Sequence, residues 1–189
     1  MRCFLALAVP DALVPPLLAA QETLPVGRAI PEENLHLTLA FLDEQPDYAL
    51  AELDAALSGV ALRGCALALR GVQSFGGRRV KLLAAGVAPA PELLALRGQA
   101  LSAVRAAGIV LSRERFRPHI TLVRFGSGLH PGARDRFDAG VARIAGLTSA
   151  PEPARELRLV GSQLTPGGAI YETLAAWPLP APAPQSGPG

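Results

Sequence analysis

The spacing of apolar and polar positions along the chain changes several times, which predicts a mixture of strands and helices. Residues 35–42 and 118–125 both alternate with a period of two, so each is a predicted strand. Residues 90–107 repeat apolar positions at helical spacing and end at Gly108, a residue type that often follows a helix. Asp11 is the expected N-cap of a helix that runs to about residue 23. The other predicted helices are 47–58 and 131–145, and the other predicted strands are 2–9, 65–74, 79–87, 155–164 and 169–177.

The order of these elements repeats along the chain. A strand that ends at Pro10 is followed by a helix and then by the strand that carries His36. A strand that ends at Pro89 is followed by a helix and then by the strand that carries His119. Each unit continues with a further helix and strand. A β-α-β-α-β unit used twice predicts a bilobal α+β fold. Its two pseudo-symmetric lobes would each be an antiparallel-type sheet with helices on the outer face, and an active-site cleft would lie between them.

The repeat also predicts how the chain is divided. We expect one bilobal domain over residues 1–177, built from repeats at about 1–75 and 79–177. The remaining residues, 178–189, are rich in Pro, Ala, Gly and Ser, and we expect a disordered tail there. We expect the protein to be a monomer.

Composition narrows the class of protein. Of the 189 residues, 50% are hydrophobic and 18% are charged, which is a globular composition. No apolar run reaches the ~18–20 residues that cross a bilayer, and the short run before Pro10 reads as a strand rather than a signal peptide. Two cysteines, Cys3 and Cys65, are too few for a disulfide framework, so we expect a reducing, cytoplasmic setting.

The charge of the chain argues against a protein that coats nucleic acid without specificity. The net charge is only +2. All of the 18 basic residues except Lys81 are arginine, and the arginine side chain suits bidentate contacts to phosphate. A GC-rich genome would give the same bias, so the arginines alone do not identify a partner.

The candidate chemistry lies in two of the three histidines. His36 and His119 each begin the sequence His-x-Thr-Leu, whereas His130 precedes a proline at a helix start and is expected on the surface. In a strand, side chains at positions i and i+2 share a face, so each of these histidines shares a face with Thr38 or Thr121. If the two faces meet, they bring two imidazoles and two hydroxyls to one polar site.

Two imidazoles with an ordinary pKa near ~6.5 suit paired general acid and base catalysis at neutral pH. The Thr38 and Thr121 hydroxyls suit the non-bridging oxygens of a phosphate, and in-line displacement at phosphorus needs an acid and a base on opposite sides. Carboxylate clusters are absent near either histidine in the sequence, so we expect no metal and no cofactor.

Three further residues are candidates for substrate binding. Arg117 shares the face of His119 and could bind phosphate or form an ion pair at the cleft rim. Strict alternation places Arg124 on the opposite face, from which strand twist or a bulge could bring it round. Phe75 ends a predicted strand and could stack on a base or pack in the core.

These motifs resemble a known family. Residues 36–39, His-Leu-Thr-Leu, and 117–122, Arg-Pro-His-Ile-Thr-Leu, resemble the two signature motifs of the two-histidine phosphoesterases. The branch they are most similar to is the RNA 2′,3′-cyclic phosphodiesterase, or 2′–5′ RNA ligase-like, family. Residues 162–171 resemble the final hairpin of that family, and the resemblance spans roughly residues 2–177.

The resemblance implies metal-independent opening of a 2′,3′-cyclic phosphate, on an RNA end or a nucleotide, to a 2′-phosphomonoester. It implies that His36 protonates the leaving 3′ oxygen, that His119 activates water, and that Thr38 and Thr121 hold the phosphate. It also favours a site role for Arg124. The residues themselves do not assign the acid and the base. Two alternatives stay open: 2′–5′ joining of RNA ends at the same site, and a non-catalytic nucleotide-binding module.

Overall fold

The computed structural model describes residues 1–112, 115–165 and 168–182 as an antiparallel α+β fold. Its α-helices are α1 (Val14–Glu22), α2 (Asp47–Ser58), α3 (Pro91–Ala106) and α4 (Arg134–Ile144). Its strands are β1 (Arg2–Ala8), β2 (Arg28–Ala29), β3 (His36–Glu44), β4 (Ala66–Leu67), β5 (Leu69–Gly76), β6 (Val80–Val87), β7 (His119–Arg124), β8 (Glu152–Pro153), β9 (Glu156–Thr165) and β10 (Gly168–Pro178). The predicted class, antiparallel strands with helices, is confirmed.

Most of the strands belong to one sheet. Its strand order is β10-β9-β1-β3-β7-β6-β5, and β2 pairs with β7 at Val123 and Arg124. The two halves of this sheet meet where β3 pairs with β7, through Leu37 and Ile120. β4 and β8 form a separate two-stranded sheet. The two halves are therefore continuous through one pairing, and the predicted cleft between two lobes stays a prediction.

The two halves of the sheet draw on both repeats. β9 and β10 come from the end of the chain, yet β9 pairs with β1, and β5 pairs with β6 of the second repeat. The helices cross over in the same way, because α1 packs against β7 and α3 packs against β3. The segments 1–75 and 79–177 are thus interleaved in space.

One face of the sheet packs against the helices and holds the main hydrophobic core. Leu37 and Ile120 both point into this core and are fully buried, as are leucines from α1, α2 and α3. The opposite face carries a smaller cluster of Phe4, Ala6 and Val160, with Tyr171 packed against it. Apolar burial on one side therefore fixes which side chains are left for the other side.

The ends of two helices test the predicted caps. Gly108 follows the end of α3 with φ +74°, so its predicted place after the helix is confirmed. The predicted N-cap at Asp11 is wrong, because Asp11 lies inside a 3-10 turn that follows Pro10 and makes no side-chain capping bond. A 3-10 turn leads into α1, so the chain enters the helix without a side-chain cap.

The last described residues contact the fold. Pro178 ends β10, and the backbone N–H of Leu179 donates to the Arg155 carbonyl at 2.8 Å. Residues 183–189 of the predicted tail lie outside the described residues. No helix in the described part of the chain is long and apolar enough to cross a membrane.

Arg97 in α3 ties the two histidine-bearing segments together from the helix side. Its Nε donates to the Leu39 carbonyl in β3 at 2.9 Å, and its guanidinium carbon lies 4.2 Å from the centroid of the Phe116 ring. Phe116 stands three residues before His119. One side chain thus contacts both segments that lead to the candidate site.

Candidate active site

The pairing of β3 with β7 brings the two His-x-Thr motifs together. Leu37 lies opposite Ile120 in an antiparallel register, and both side chains point into the core. The residues on either side of this pair therefore point to the other face, with His36 beside Thr121 and Thr38 beside His119. This crossed arrangement is a local two-fold on one face of one continuous sheet, where the two motifs lie side by side as neighbours.

Each histidine is held by the same backbone contact. Nδ1 of His36 lies 2.7 Å from the Asn34 carbonyl oxygen, and Nδ1 of His119 lies 2.7 Å from the Arg117 carbonyl oxygen. A carbonyl oxygen only accepts hydrogen bonds, so Nδ1 carries the proton in both rings. Nε2 is therefore the atom that takes up or gives up a proton at each histidine.

The two rings differ in what packs against them. The Phe4 ring stacks on His36 with centroids 4.8 Å apart, and Tyr171 meets His36 edge-on at 5.4 Å. The Phe75 ring lies 4.3 Å from His119. Aromatic packing and a backbone hydrogen bond together leave each imidazole few alternative orientations.

Burial lowers the pKa of both histidines below the ordinary value. The hydrogen bond to a backbone carbonyl opposes this shift, and the positive charge of Arg124 lowers both pKa values further. His119 also lowers the pKa of His36, and the Arg117 charge lowers that of His119. Both rings therefore favour the neutral form at neutral pH, with Nε2 free to accept a proton.

A β-bulge explains how Arg124 reaches the site. In the pairing of β7 with β6, Thr121 lies opposite Ala84 and Val123 lies opposite Leu83, so the register passes over Leu122. Leu122 and Val123 are both buried, and the alternation shifts by one so that Arg124 turns to the histidine face. Strict alternation gave the wrong face, and the bulge considered as an alternative is what the structure contains.

β3 has a bulge at the matching place. Thr38 pairs with Ala6 and Ala40 pairs with Leu5, so Leu39 is passed over and both Leu39 and Ala40 are buried. Phe41 then turns to the site face, where its exposed fraction is 54%.

Arg117 and Phe75 both lie beside His119. The guanidinium carbon of Arg117 is 4.2 Å from the centroid of the Phe75 ring. Phe75 thus contacts His119 and Arg117 at once, so it is half-buried within the site rather than packed in the main core. Whether it also stacks on a base stays a prediction.

The structure brings all seven predicted site residues to one face of the sheet: His36, Thr38, Phe75, Arg117, His119, Thr121 and Arg124. Thr38 and Thr121 are both half-buried. His130 is exposed and its Nδ1 accepts from the Gly132 N–H at 3.1 Å, as expected for a surface residue at a helix start. The described residues contain no group of three or more His, Cys, Asp or Glu side chains placed to hold a metal ion.

Sequence reasoning missed two residues that complete the surroundings of His36. Phe4 lies in a strand that is apolar on both faces, so alternation does not show that it faces a histidine. Arg158 in β9 lines a cavity of about 160 Å³ beside His36, which the Tyr171 ring also lines. Only the pairing of β9 with β1 brings Arg158 there, and no local pattern reports that pairing.

Comparison with known proteins finds relatives that share one name. The RNA 2′,3′-cyclic phosphodiesterase of Geobacillus stearothermophilus is 33% identical over 163 residues, which cover 85% of this chain and 50% of that protein. The chain thus spans half the length of this relative. The protein of the same name from Archaeoglobus fulgidus is 30% identical over 180 residues, which cover 92% of this chain and 98% of the relative.

Solved structures share the fold. The crystal structure of TT0787 of Thermus thermophilus has a TM-score of 0.77 and 26% identity, and the match covers 96% of this chain and 99% of that one. The crystal structure of E. coli LigT complexed with 3′-AMP has a TM-score of 0.72 and 24% identity, covering 94% and 97%. The family model described as the 2′-5′ RNA ligase superfamily matches residues 9–159. Because this match covers well over half of the chain, the protein belongs to the 2′-5′ RNA ligase superfamily.

Proposed function

We propose that this protein hydrolyses 2′,3′-cyclic phosphates, on RNA ends or single nucleotides, to 2′-phosphomonoesters. The observation that carries the proposal is the crossed placement of His36 and His119 around one strand pairing, each with Nδ1 bonded to a carbonyl. Relatives that bear the name RNA 2′,3′-cyclic phosphodiesterase support the same substrate class.

The proposed reaction is an in-line displacement at phosphorus. Nε2 of neutral His119 accepts a proton from a water molecule, whose oxygen forms the new bond to phosphorus. The bond from phosphorus to the 3′ oxygen breaks on the opposite side, and the Nε2–H of protonated His36 gives its proton to that oxygen. One proton moves from water to His119 and one from His36 to the product, so exchange with solvent restores the starting state.

The threonines and arginines supply the electrostatic part of the mechanism. The hydroxyls of Thr38 and Thr121 donate to the non-bridging oxygens, where negative charge increases in the transition state. Arg124, whose charge acts on both histidines, offsets the charge of the phosphate. A bound phosphate anion in turn raises the pKa of His36, which favours the protonated form that the acid needs.

The proposal requires neither a metal nor a cofactor, because the two imidazoles perform both proton transfers. We also propose a cytoplasmic location. The cysteine content supports it, since two cysteines are too few for the disulfide framework that is common in small secreted proteins.

The deciding experiment uses a nucleoside 2′,3′-cyclic monophosphate in EDTA, with chromatography that separates the 2′- from the 3′-phosphate. We expect the wild-type protein and the His130→Ala control to form the 2′-phosphate, and the His119→Ala variant to form almost none. A 3′-phosphate product would reverse the choice of leaving oxygen. Activity that EDTA abolishes and a divalent cation restores would overturn the metal-free mechanism.

The same experiment separates the two alternatives. Adding an RNA with a free 5′-hydroxyl tests for end joining, because a 2′–5′ linked product shows that this hydroxyl competes with water. Nucleotide binding without turnover, on nucleotides and on longer RNA alike, would indicate a non-catalytic binding module instead.

A further inference from the structure

The cavity beside His36 shares that histidine with the place where the two His-x-Thr motifs meet, but its other lining residues are different. It lies over β1, β9 and β10, has a volume of about 160 Å³, and does not include Thr38, Thr121 or His119. Typical pockets for whole small molecules start at roughly 300 Å³, so this cavity has room for one chemical group rather than a nucleotide. Its polar and aromatic side chains are Glu33, Asn34, His36, Arg158, Tyr171 and Thr173.

Strand pairing relates this cavity to the phosphate-binding threonines. Ala6 in β1 lies opposite Thr38 on one side and opposite Arg158 on the other. The three residues form a row across the sheet on the site face, because residues directly opposite each other point the same way. Two inter-strand spacings separate Thr38 from Arg158, or roughly 10 Å between Cα atoms. Only the methyl group of Ala6 stands between them in this row.

Arg158 retains donors for an anion. Its Nε donates to the Glu156 carboxylate at 2.5 Å, and its Nη2 contacts the same oxygen. Nη1 carries two further N–H groups, and the side chain is 38% exposed. Arg158 is the one cationic arginine or lysine among the described residues that line the cavity. Glu156 holds this guanidinium in place and also offsets part of its charge, while Glu33 at the rim is exposed.

We propose that this cavity is a second anion subsite, in which Arg158 binds the phosphodiester that precedes the terminal nucleotide of an RNA substrate. The inference rests on the proposed function, in which His36 faces the ribose side of the cyclic phosphate. The RNA chain continues from that ribose through its 5′ oxygen to the next phosphate. A cyclic mononucleotide lacks this phosphodiester, so the subsite favours RNA ends of two or more nucleotides.

The test compares two substrates: adenosine 2′,3′-cyclic monophosphate, and the adenylyl-adenosine dinucleotide with the same cyclic end. The quantity measured is the ratio of kcat/KM for the dinucleotide to kcat/KM for the mononucleotide. We expect Arg158→Gln to lower this ratio about tenfold, the usual size of a charge-assisted hydrogen bond. Arg143→Gln is the matched control, since it removes the same charge from an exposed position in α4 and leaves the ratio unchanged.

Glu156→Gln distinguishes a subsite from a structural ion pair. Because Glu156 competes with the incoming phosphate for Arg158, its replacement should raise the ratio, opposite to the effect of Arg158→Gln. If the ion pair served only to stabilise the hairpin, both substitutions would break the same contact and shift the ratio alike or not at all. Either of those results, or a wild-type ratio near one, would overturn the subsite.

A binding measurement keeps this test separate from the proposed reaction. Calorimetry with the His119→Ala protein and the same two nucleotides reports affinity without turnover. We expect the dinucleotide to bind more tightly than the mononucleotide, and we expect this difference to disappear when Arg158→Gln is added to His119→Ala. The plot of log affinity for the dinucleotide against log salt concentration should then be less steep by about one unit, as for the loss of one phosphate contact. That result with no hydrolysis by the wild-type protein would refute the proposed function but keep the subsite; equal affinity for both nucleotides would refute the subsite alone.

Discussion

Phe41 and Arg124 occupy equivalent positions in the two strands that carry the histidines. Each follows its histidine by five residues and lies just beyond a β-bulge that turns it to the site face. The backbone of the site is thus close to two-fold, whereas its charge is not, because an arginine on one side matches an aromatic ring on the other. Of these two positions, only the one on β7, Arg124, carries a positive charge that acts on both histidines.

Removing the Arg124 charge should shift the pH dependence of activity. Its charge lowers the pKa of both histidines, so Arg124→Gln raises both pKa values. The bell-shaped profile of kcat/KM against pH should therefore move as a whole to higher pH, with a lower maximum. A profile that loses height without moving would show that Arg124 does not act on the histidines through its charge.

Arg117 gives a sharper version of the same measurement. Its charge lowers the pKa of His119, and it is not among the causes of the His36 shift. We expect Arg117→Gln to move the limb of the profile that belongs to His119 toward higher pH and to leave the other limb nearly in place. If His119 is the base, the limb that moves is the acidic one. Movement of the alkaline limb instead would exchange the roles of the two histidines.

Replacing either candidate histidine should remove most of the activity. We expect His36→Ala and His119→Ala each to lower kcat/KM by ~10²–10⁴ or more, the usual contribution of a general acid or base. His130→Ala serves as the control, because it removes an imidazole from an exposed position outside the site. Near wild-type turnover in either of the first two variants, with circular dichroism showing a folded protein, contradicts the two-histidine mechanism.

Whether the threonine hydroxyls act as hydrogen-bond donors can be tested by replacing each hydroxyl with a methyl group. Thr38→Val keeps the β-branched shape and removes the donor, so we expect kcat to fall ~10²-fold, as for loss of one oxyanion donor. Thr38→Ser keeps the hydroxyl and should cost much less. The same pair at Thr121 should behave alike, since the two threonines occupy matching places in the crossed arrangement. Equal losses for Val and Ser would point to packing instead of donation.

The strand pairing that builds the site should also contribute to stability. Leu37 is fully buried in the core opposite Ile120, so Leu37→Ala should lower the free energy of unfolding by about 2–5 kcal/mol. Leu94→Ala on the surface of α3, where Leu94 is 47% exposed, is the matched control and should stay within about 0.5 kcal/mol. Urea denaturation of both variants measures the difference.

Alternation alone predicted the faces of His36, Thr38, His119 and Thr121, because these residues precede any irregularity in their strands. It failed at Arg124, since the bulge at Leu122 depends on how β7 pairs with β6. A bulge changes the face of every later residue in its strand. Because the residues around this bulge are apolar, the sequence pattern does not show where the bulge lies.

Long-range pairing set the other limit of the sequence analysis. The two-residue strand β2 was missed because it is too short to show a period, and its pairing with β7 is what defines it. The place of Arg158 depends on β9 joining β1, from the opposite end of the chain. Repeats along the sequence predicted the kinds of element and their order, but not that the segments would be interleaved in one sheet.

That interleaving has a consequence for the order in which the parts of the site form during translation. The strand that carries Phe4 is made well before Arg158 and Tyr171, which surround His36 together with it and lie on β9 and β10. Sheet pairings between distant segments form late, because the intervening chain must be closed into a loop. A chain that stops before β9 and β10 therefore has both histidines but only part of their surroundings, and the cavity beside His36 is complete only once those two strands have been made.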